Sequence, residues 1–168
     1  GLAGAGLGVT YSDLEKAATV LLVGLGPAEE AATVFLRLRK AVRKRGTTVF
    51  AVAPFASRGL AKLAAEMVLA APGTEAEVLR AIADGDQRVH DLTDALSATG
   101  SVVLVGERLA GVPGALSATG HLATVSGARL AWIPRRAGER GALEAGALPH
   151  VLPGGRPFAE AEARVDIA

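Results

Sequence analysis

The sequence predicts an α/β domain: a doubly wound, mostly parallel sheet of about five short strands flanked by helices. Short uninterrupted apolar runs end at glycine or proline, which is typical of strands buried on both faces. The runs VLLVG at 20–24 and VVLVG at 102–106 each open a strand–helix–strand unit. A helical bundle, the alternative, does not explain valine-rich runs of four or five residues bounded by glycine.

The first unit covers residues 19–70 and begins with a strand at 19–23. Pro27 suits the first position of the following helix, and the two glutamates after it suit the positive end of the helix dipole. Gly46 suits the position after the last helical turn. A second buried strand is predicted at 48–52.

The middle of the chain is less regular. We predict a short helix at 57–65 and a short third strand at 67–69. Thr74 and Glu77 have the spacing of a capping box, which predicts the start of a helix. A further helix is predicted at about 87–97.

The second unit covers residues 101–134 and begins with a buried strand at 102–105. Pro113 predicts the start of a helix, and Gly127 its end. The last strand is predicted at 130–133.

Gly, Pro, Arg and Glu dominate the rest of the chain. We therefore expect a single domain over 1–150 and an irregular tail over 151–168 that leads to a region outside this fragment. The absence of an initial Met and the glycine-rich start also predict a piece of a longer protein.

Composition excludes several classes of function. The chain has 18 Lys and Arg against 17 Asp and Glu, which argues against nucleic-acid binding through bulk charge. It contains no cysteine, so it offers no thiolate ligand for an iron–sulfur cluster. No uncharged apolar stretch approaches the ~18–20 residues of a membrane helix, so no direct membrane insertion is expected.

The loop after the first strand resembles the start of a dinucleotide-binding fingerprint, with Gly24, Gly26 and Pro27 before the helix. Two features depart from that fingerprint. Glu29 replaces the third glycine and would repel a phosphate, and Ala53 stands where an acid would contact a ribose. We therefore favour a tight turn over a nicotinamide site.

Two basic segments leave alternatives open. Six Lys and Arg fall within residues 37–45, which indicates a solvated helix end or a protein contact. The arginine-rich loop over 135–141 follows the last strand, so it is either an anion site or an ordinary exposed loop.

No catalytic or metal-binding residue is predicted. The three histidines have no paired ligand spacing, and Ser57 lacks the first glycine of a nucleophile elbow.

Longer stretches carry a family resemblance that covers most of the chain. YSDLEKA, VLLVGLGPAEEA, FLRLRKA, VAPFASRG, PGTEAEVLRAI and ARLAWIPRRAGERGALEAGALP resemble the G subunit of bacterial NADH-quinone oxidoreductase, respiratory complex I, in its actinobacterial form. The resemblance is to the C-terminal, molybdopterin-oxidoreductase-like part of that subunit. It implies a nucleotide-binding-type fold of that family.

The resemblance also implies where a cofactor site would have been. Family relatives that bind a molybdopterin guanine dinucleotide have Asn-Pro after the first strand, where this chain has Gly26-Pro27. The acid of their second turn becomes Ala53 beside Pro54, while their Pro-Gly-Thr-Asp turn is nearly kept at 72–75. The vestigial pterin or nucleotide site, if any, comprises Gly24, Gly26, Pro27, Ala53, Pro54, Ser57, Arg58, Arg135, Arg136 and Gly141.

The implied role is a non-catalytic structural domain. Its parent passes electrons from NADH through iron–sulfur clusters to quinone, in the peripheral arm on the cytoplasmic side of the plasma membrane. The expected partners are other parts of the G subunit and other complex I subunits, with no nucleic acid. We expect no cofactor in this fragment and self-association when it is isolated; molybdopterin is disfavoured. The alternatives are a domain that retains pterin or nucleotide binding and a stand-alone anion- or nucleotide-binding module.

Overall fold

A computed structural model describes residues 8–86, 89–136, 138, 141–142, 145–147, 150–154 and 156–165. The chain divides into two compact units, a larger one over Leu7–Arg135 and a smaller one that includes Arg136–Ala168. The single domain expected over 1–150 remains a prediction.

The larger unit contains a five-stranded sheet in which every strand pairing is parallel. Its strands are β1 (Thr19–Val23), β2 (Thr48–Ala53), β3 (Glu66–Leu69), β4 (Val102–Gly106) and β5 (Arg129–Ile133). Their order across the sheet is β3-β2-β1-β4-β5, so the winding reverses between β1 and β4. The predicted α/β fold is confirmed, with a sheet that is wholly parallel.

Helices cover both faces of this sheet. They are α1 (Tyr11–Lys16), α2 (Pro27–Glu30), α3 (Ala32–Arg45), α4 (Arg58–Lys62), α5 (Glu75–Ala83), α6 (His90–Leu96) and α7 (Ala115–Ser126). Leu21 and Val23 of β1 pack with α5, α6 and α7, whereas Val20 and Leu22 pack with α1, α3 and α4. This alternation follows from the two-residue period of a strand.

The helix predicted from Pro27 onward is interrupted. Ala31 has φ −149° and ψ 66°, outside the helical region, so α2 and α3 are separate helices. Gly46 ends α3 with φ 71°, the left-handed conformation expected of a glycine after a helix.

The capping box predicted at Thr74 is wrong. Thr74 does precede α5, but its hydroxyl donates to the Ala71 carbonyl oxygen at 2.8 Å instead of accepting from the helix. Its ψ of 5° differs from the extended backbone of most N-cap residues. The Gly73 N–H instead donates to Glu75 Oε2 at 2.7 Å.

Three further helices differ from expectation. A 3₁₀ helix, Glu107–Gly111, follows β4, and α7 begins at Ala115 after Gly114, so Pro113 does not occupy its first turn. The sequence analysis also missed α1, which a reciprocal capping box between Thr10 and Asp13 begins. Residues 87 and 88 of the helix predicted at 87–97 lie outside the described residues.

The smaller unit contains two-residue strands and a short helix where an irregular tail was predicted. β6 (Val151–Leu152) pairs antiparallel with β7 (Arg156–Pro157), and α8 (Ala161–Val165) follows. No helix in the described ranges of the chain has the length and apolar character to cross a bilayer.

Candidate functional site

A cleft of about 490 Å³ lies at the carboxyl ends of β1 and β2. It is located beside the point between β1 and β4 where the winding reverses, which is where open α/β sheets bind ligands. Its lining comprises Gly24, Leu25, Gly26, Glu29, Glu30, Val52, Pro54, Phe55, Ser57, Leu60, Pro72, Glu75, Arg108 and Leu109.

The structure brings together part of the residue set that the sequence indicated. Gly24, Gly26, Pro54 and Ser57 all line the cleft. Pro27 is buried in α2, Ala53 ends β2, and Arg58 begins α4 with an exposed side chain; none of these three belongs to the lining.

Of the predicted arginine loop, only Arg135 belongs to the same unit as the cleft, and it does not line the cleft. Arg135 is exposed two residues after β5, while Arg136 and Gly141 belong to the smaller unit. The loop segments after β1 and β2 therefore meet, as the parallel sheet requires. The part that Arg136 and Gly141 would play stays a prediction.

A carboxylate of the chain itself occupies the glycine turn. Glu30 Oε1 accepts a hydrogen bond from the Gly26 N–H at 3.3 Å and lies 3.0 Å from Arg108 Nη2. Arg108 also donates through Nε to the Gly24 carbonyl oxygen at 3.3 Å. The Glu30 side chain is only 9% exposed, so this ion pair is shielded from solvent on the acidic side. We call Gly24, Gly26, Glu30 and Arg108 the carboxylate clamp.

The rest of the cleft is apolar and acidic. Glu29 and Glu75 line it together with Glu30, and Arg108 is the one cation among its described lining residues. The second Glu30 oxygen, Oε2, is buried and has no hydrogen-bond partner among the described residues. These features disfavour an anionic ligand, because a phosphate would meet carboxylates at close range.

A pterin nucleotide does not fit the residues that are present. Its phosphates would need the Gly26 N–H and the Arg108 guanidinium, and Glu30 already binds both. Ala53 offers no acid to a nucleotide. No group of three or more potential metal ligands occurs within the described residues.

Ser57 has a structural role at the cleft. Its hydroxyl accepts a hydrogen bond from the Leu60 N–H at 3.2 Å and caps α4. The hydroxyl therefore satisfies one of the free N–H groups at the start of that helix.

No pattern in the sequence predicted the carboxylate clamp. Glu30 was noted only as a favourable charge near a helix start, and its four-residue distance from Gly26 was the available signal. Arg108 lies in the 3₁₀ helix that was not predicted, 84 residues after Gly24. No local pattern connects residues so far apart.

A second charged surface lies on α3. The Glu15 carboxylate of α1 accepts hydrogen bonds from Lys40 Nζ at 2.6 Å and Arg37 Nη1 at 2.5 Å. These two cations hold the pKa of Glu15 at about 2, below its ordinary value of 4.5. Arg37 also lies over the Tyr11 ring, 5.7 Å from its centroid.

Comparison with curated proteins identifies the family. The chain is 55% identical over 168 residues to the G subunit of NADH-quinone oxidoreductase from Streptomyces coelicolor, a match that covers 98% of this chain. It is 54% identical over 166 residues to the corresponding G subunits of Mycobacterium bovis and Mycobacterium tuberculosis, with 99% of this chain covered. The chain belongs to the family of NADH-quinone oxidoreductase G subunits.

The resemblance to the G subunit is thus confirmed, while the molybdopterin-oxidoreductase-like assignment stays a prediction. The chain spans about a fifth of the length of these relatives, 20% in each case. No protein-family model matches it. Both the cleft and the basic helix α3 lie within the segment matched to the G subunits, because the match includes nearly the whole chain.

Proposed function

We propose that this chain is a non-catalytic structural domain of the G subunit in respiratory complex I. The carboxylate clamp is the observation that supports this proposal. A doubly wound sheet with a cleft at its switch point is an arrangement that binds nucleotides, and here Glu30 neutralises the donors that a phosphate would use.

The loss of affinity that Glu30 causes for a phosphate can be given as a range. A phosphate would have to displace the Glu30 carboxylate from the Gly26 N–H and from Arg108. Leaving one buried polar group without its partner costs about 1–3 kcal/mol. Each such loss weakens binding by roughly 5- to 150-fold, at about 1.4 kcal/mol per factor of ten.

The electron path of the parent lies outside this segment in our proposal. The parent enzyme passes electrons from NADH through iron–sulfur clusters to quinone, and such clusters are held mainly by cysteine thiolates. This chain contains no cysteine. Its contribution is to pack against other parts of the G subunit and against other complex I subunits in the peripheral arm, on the cytoplasmic side of the membrane.

A variant of the clamp tests this role in the intact complex. We expect Arg108→Ala to lower the amount of assembled complex, because it leaves the buried Glu30 carboxylate without its cation. The NADH:quinone turnover of each complex that does assemble is expected to equal that of the wild type.

Glu77→Gln is the matched control, since Glu77 is exposed on α5 and does not line the cleft. It should change neither assembly nor turnover. Normal assembly of Arg108→Ala together with a loss of turnover per complex would contradict a structural role, and so would normal assembly and turnover after deletion of the whole segment.

A further inference from the structure

Helix α3 has a basic face that no acidic residue of the helix balances. Leu36, Arg39, Lys40, Arg43 and Lys44 follow the three- and four-residue spacing that places side chains on one side of a helix. Val34, Leu38 and Ala41 are the buried residues of the same helix. We call the first five residues the basic stripe; they line a shallow groove of about 490 Å³.

Most charges of the basic stripe have no counterpart within the described residues. Lys40 is paired with Glu15, but Arg39, Arg43 and Lys44 form no ion pair in the described part of the chain. Like charges four residues apart, as at Arg39 and Arg43, destabilise a helix by about 0.2–0.5 kcal/mol per pair. The stripe is therefore an unbalanced charge cluster on a chain whose formal net charge is +1.

The helix dipole explains only part of this cluster. Cations in the last turn, such as Arg43 and Lys44, interact favourably with the negative helix end, but this effect falls off within one turn. Arg39 lies before that turn. Leu36 is 59% exposed at the other end of the stripe, and the dipole gives no reason for an exposed leucine.

We propose that the basic stripe docks against an acidic protein surface in the parent complex, with Leu36 as its apolar contact. This inference names the chemistry of one partner and rests on the proposed structural role in complex I. Charge complementarity selects a surface rich in Asp and Glu, and it supplies the counter-charges that Arg39, Arg43 and Lys44 do not find in the described part of the chain.

Other anionic partners match the surface less well. A lipid surface takes up the apolar face of an amphipathic helix, and the apolar face of α3 is buried in the domain core. Single-stranded nucleic acid binds through stacking on aromatic rings, and the basic stripe contains none. A protein surface uses both the cations and the exposed leucine.

A charge-reversal experiment in the full-length subunit and intact complex tests the proposal. The double variant Arg43→Glu/Lys44→Glu is compared with Lys16→Glu/Lys62→Glu, because Lys16 and Lys62 also lie in the last turns of their helices. Both pairs thus place acids at helix C-termini. The readout is the fraction of the complex that retains the G subunit as the salt concentration rises.

We expect the stripe variant to lower this retention by about tenfold relative to the control, since two surface attractions become repulsions and tenfold corresponds to about 1.4 kcal/mol in total. A photo-crosslinking amino acid at position 36 then identifies the partner, and the expected crosslinked peptide is rich in Asp and Glu. Crosslinks to lipid or nucleic acid alone would overturn the proposal. Equal retention of both variants would also overturn it, and would leave the structural role standing if deletion of the segment still blocked assembly.

Discussion

At the scale of single residues, the carboxylate clamp determines what the cleft can bind. The Glu30 side chain of α2 reaches back to the turn where an α/β fold presents N–H groups to phosphates, and its carboxylate accepts the hydrogen bond of the Gly26 N–H. The sequence analysis led to the prediction that an acid near this turn disfavours phosphate. It identified Glu29 as that acid, whereas Glu30 makes the hydrogen bond and the ion pair.

Glu15 gives a prediction about pH. Its pKa in the folded chain is about 2, lowered from 4.5 by Lys40 and Arg37, so the folded state favours the charged form. The charged Glu15 stabilises the folded state fully above pH 4.5, and this stabilisation is lost as the pH falls towards 2. We therefore expect Glu15→Gln to lower the free energy of unfolding at neutral pH, by an amount that shrinks as the pH falls through this range.

Urea denaturation at a series of pH values measures this difference. The variant Lys40→Met removes the Lys40 contact to Glu15 and leaves the Arg37 contact in place. It should therefore reduce the pH dependence of the unfolding free energy without abolishing it. A difference between wild type and Glu15→Gln that stays constant from neutral pH to pH 2 would contradict the ion-pair account.

Gly106 gives a steric prediction. A Cβ added there would overlap the Gly24 carbonyl oxygen, so Gly106→Ala forces the ends of β1 and β4 apart. We expect a loss of about 1–3 kcal/mol in the free energy of unfolding, as for other overpacked sites. Gly120→Ala is the control: apart from its own helix backbone and chain neighbours, no atom of the described residues lies within 4 Å of the added Cβ, and alanine in a helix interior should stabilise by about 0.5–1 kcal/mol. Equal stabilities of the two variants would refute the close approach.

At the scale of secondary-structure elements, strands were easier to predict than helices. The strands β1 and β4 are buried along their whole length, so their sequences are continuous apolar runs that need no further context. The break at Ala31 and the 3₁₀ helix after β4 have no such local signature. Thr74 has the sequence of a capping box, yet its hydroxyl bonds to Ala71, because the backbone of the preceding turn places it there.

The two faces of α3 give a prediction about this element. Leu38 is fully buried, so Leu38→Ala should cost about 2–5 kcal/mol in the free energy of unfolding. Leu36 is exposed in the basic stripe, so Leu36→Ala should change this free energy by less than about 0.5 kcal/mol. Chemical denaturation of both variants compares the same substitution on one helix. Similar losses for both variants would mean that Leu38 and Leu36 do not lie on a buried and an exposed face of α3.

At the scale of the whole molecule, the sequence predicted that the loops after β1 and β2 meet, but not the ion pair between Glu30 and Arg108. The rule that ligands bind beyond the carboxyl ends of parallel strands brought the loops after β1 and β2 together correctly. The carboxylate clamp depends on Glu30 meeting Arg108, which lies in a distant segment of the chain. That pairing arises from the order of strands in the sheet, because β4 lies beside β1, and no motif in the sequence encodes it.

The central claim is that a nucleotide-type fold here has no cofactor role. Extraction of pterin and nucleotide from the purified full-length subunit, with molybdenum and tungsten measured on the same sample, tests this claim most directly. We expect less than about one-tenth of an equivalent of each, because two displaced contacts weaken binding by orders of magnitude. One equivalent of pterin nucleotide, lost on Arg108→Ala, would contradict it.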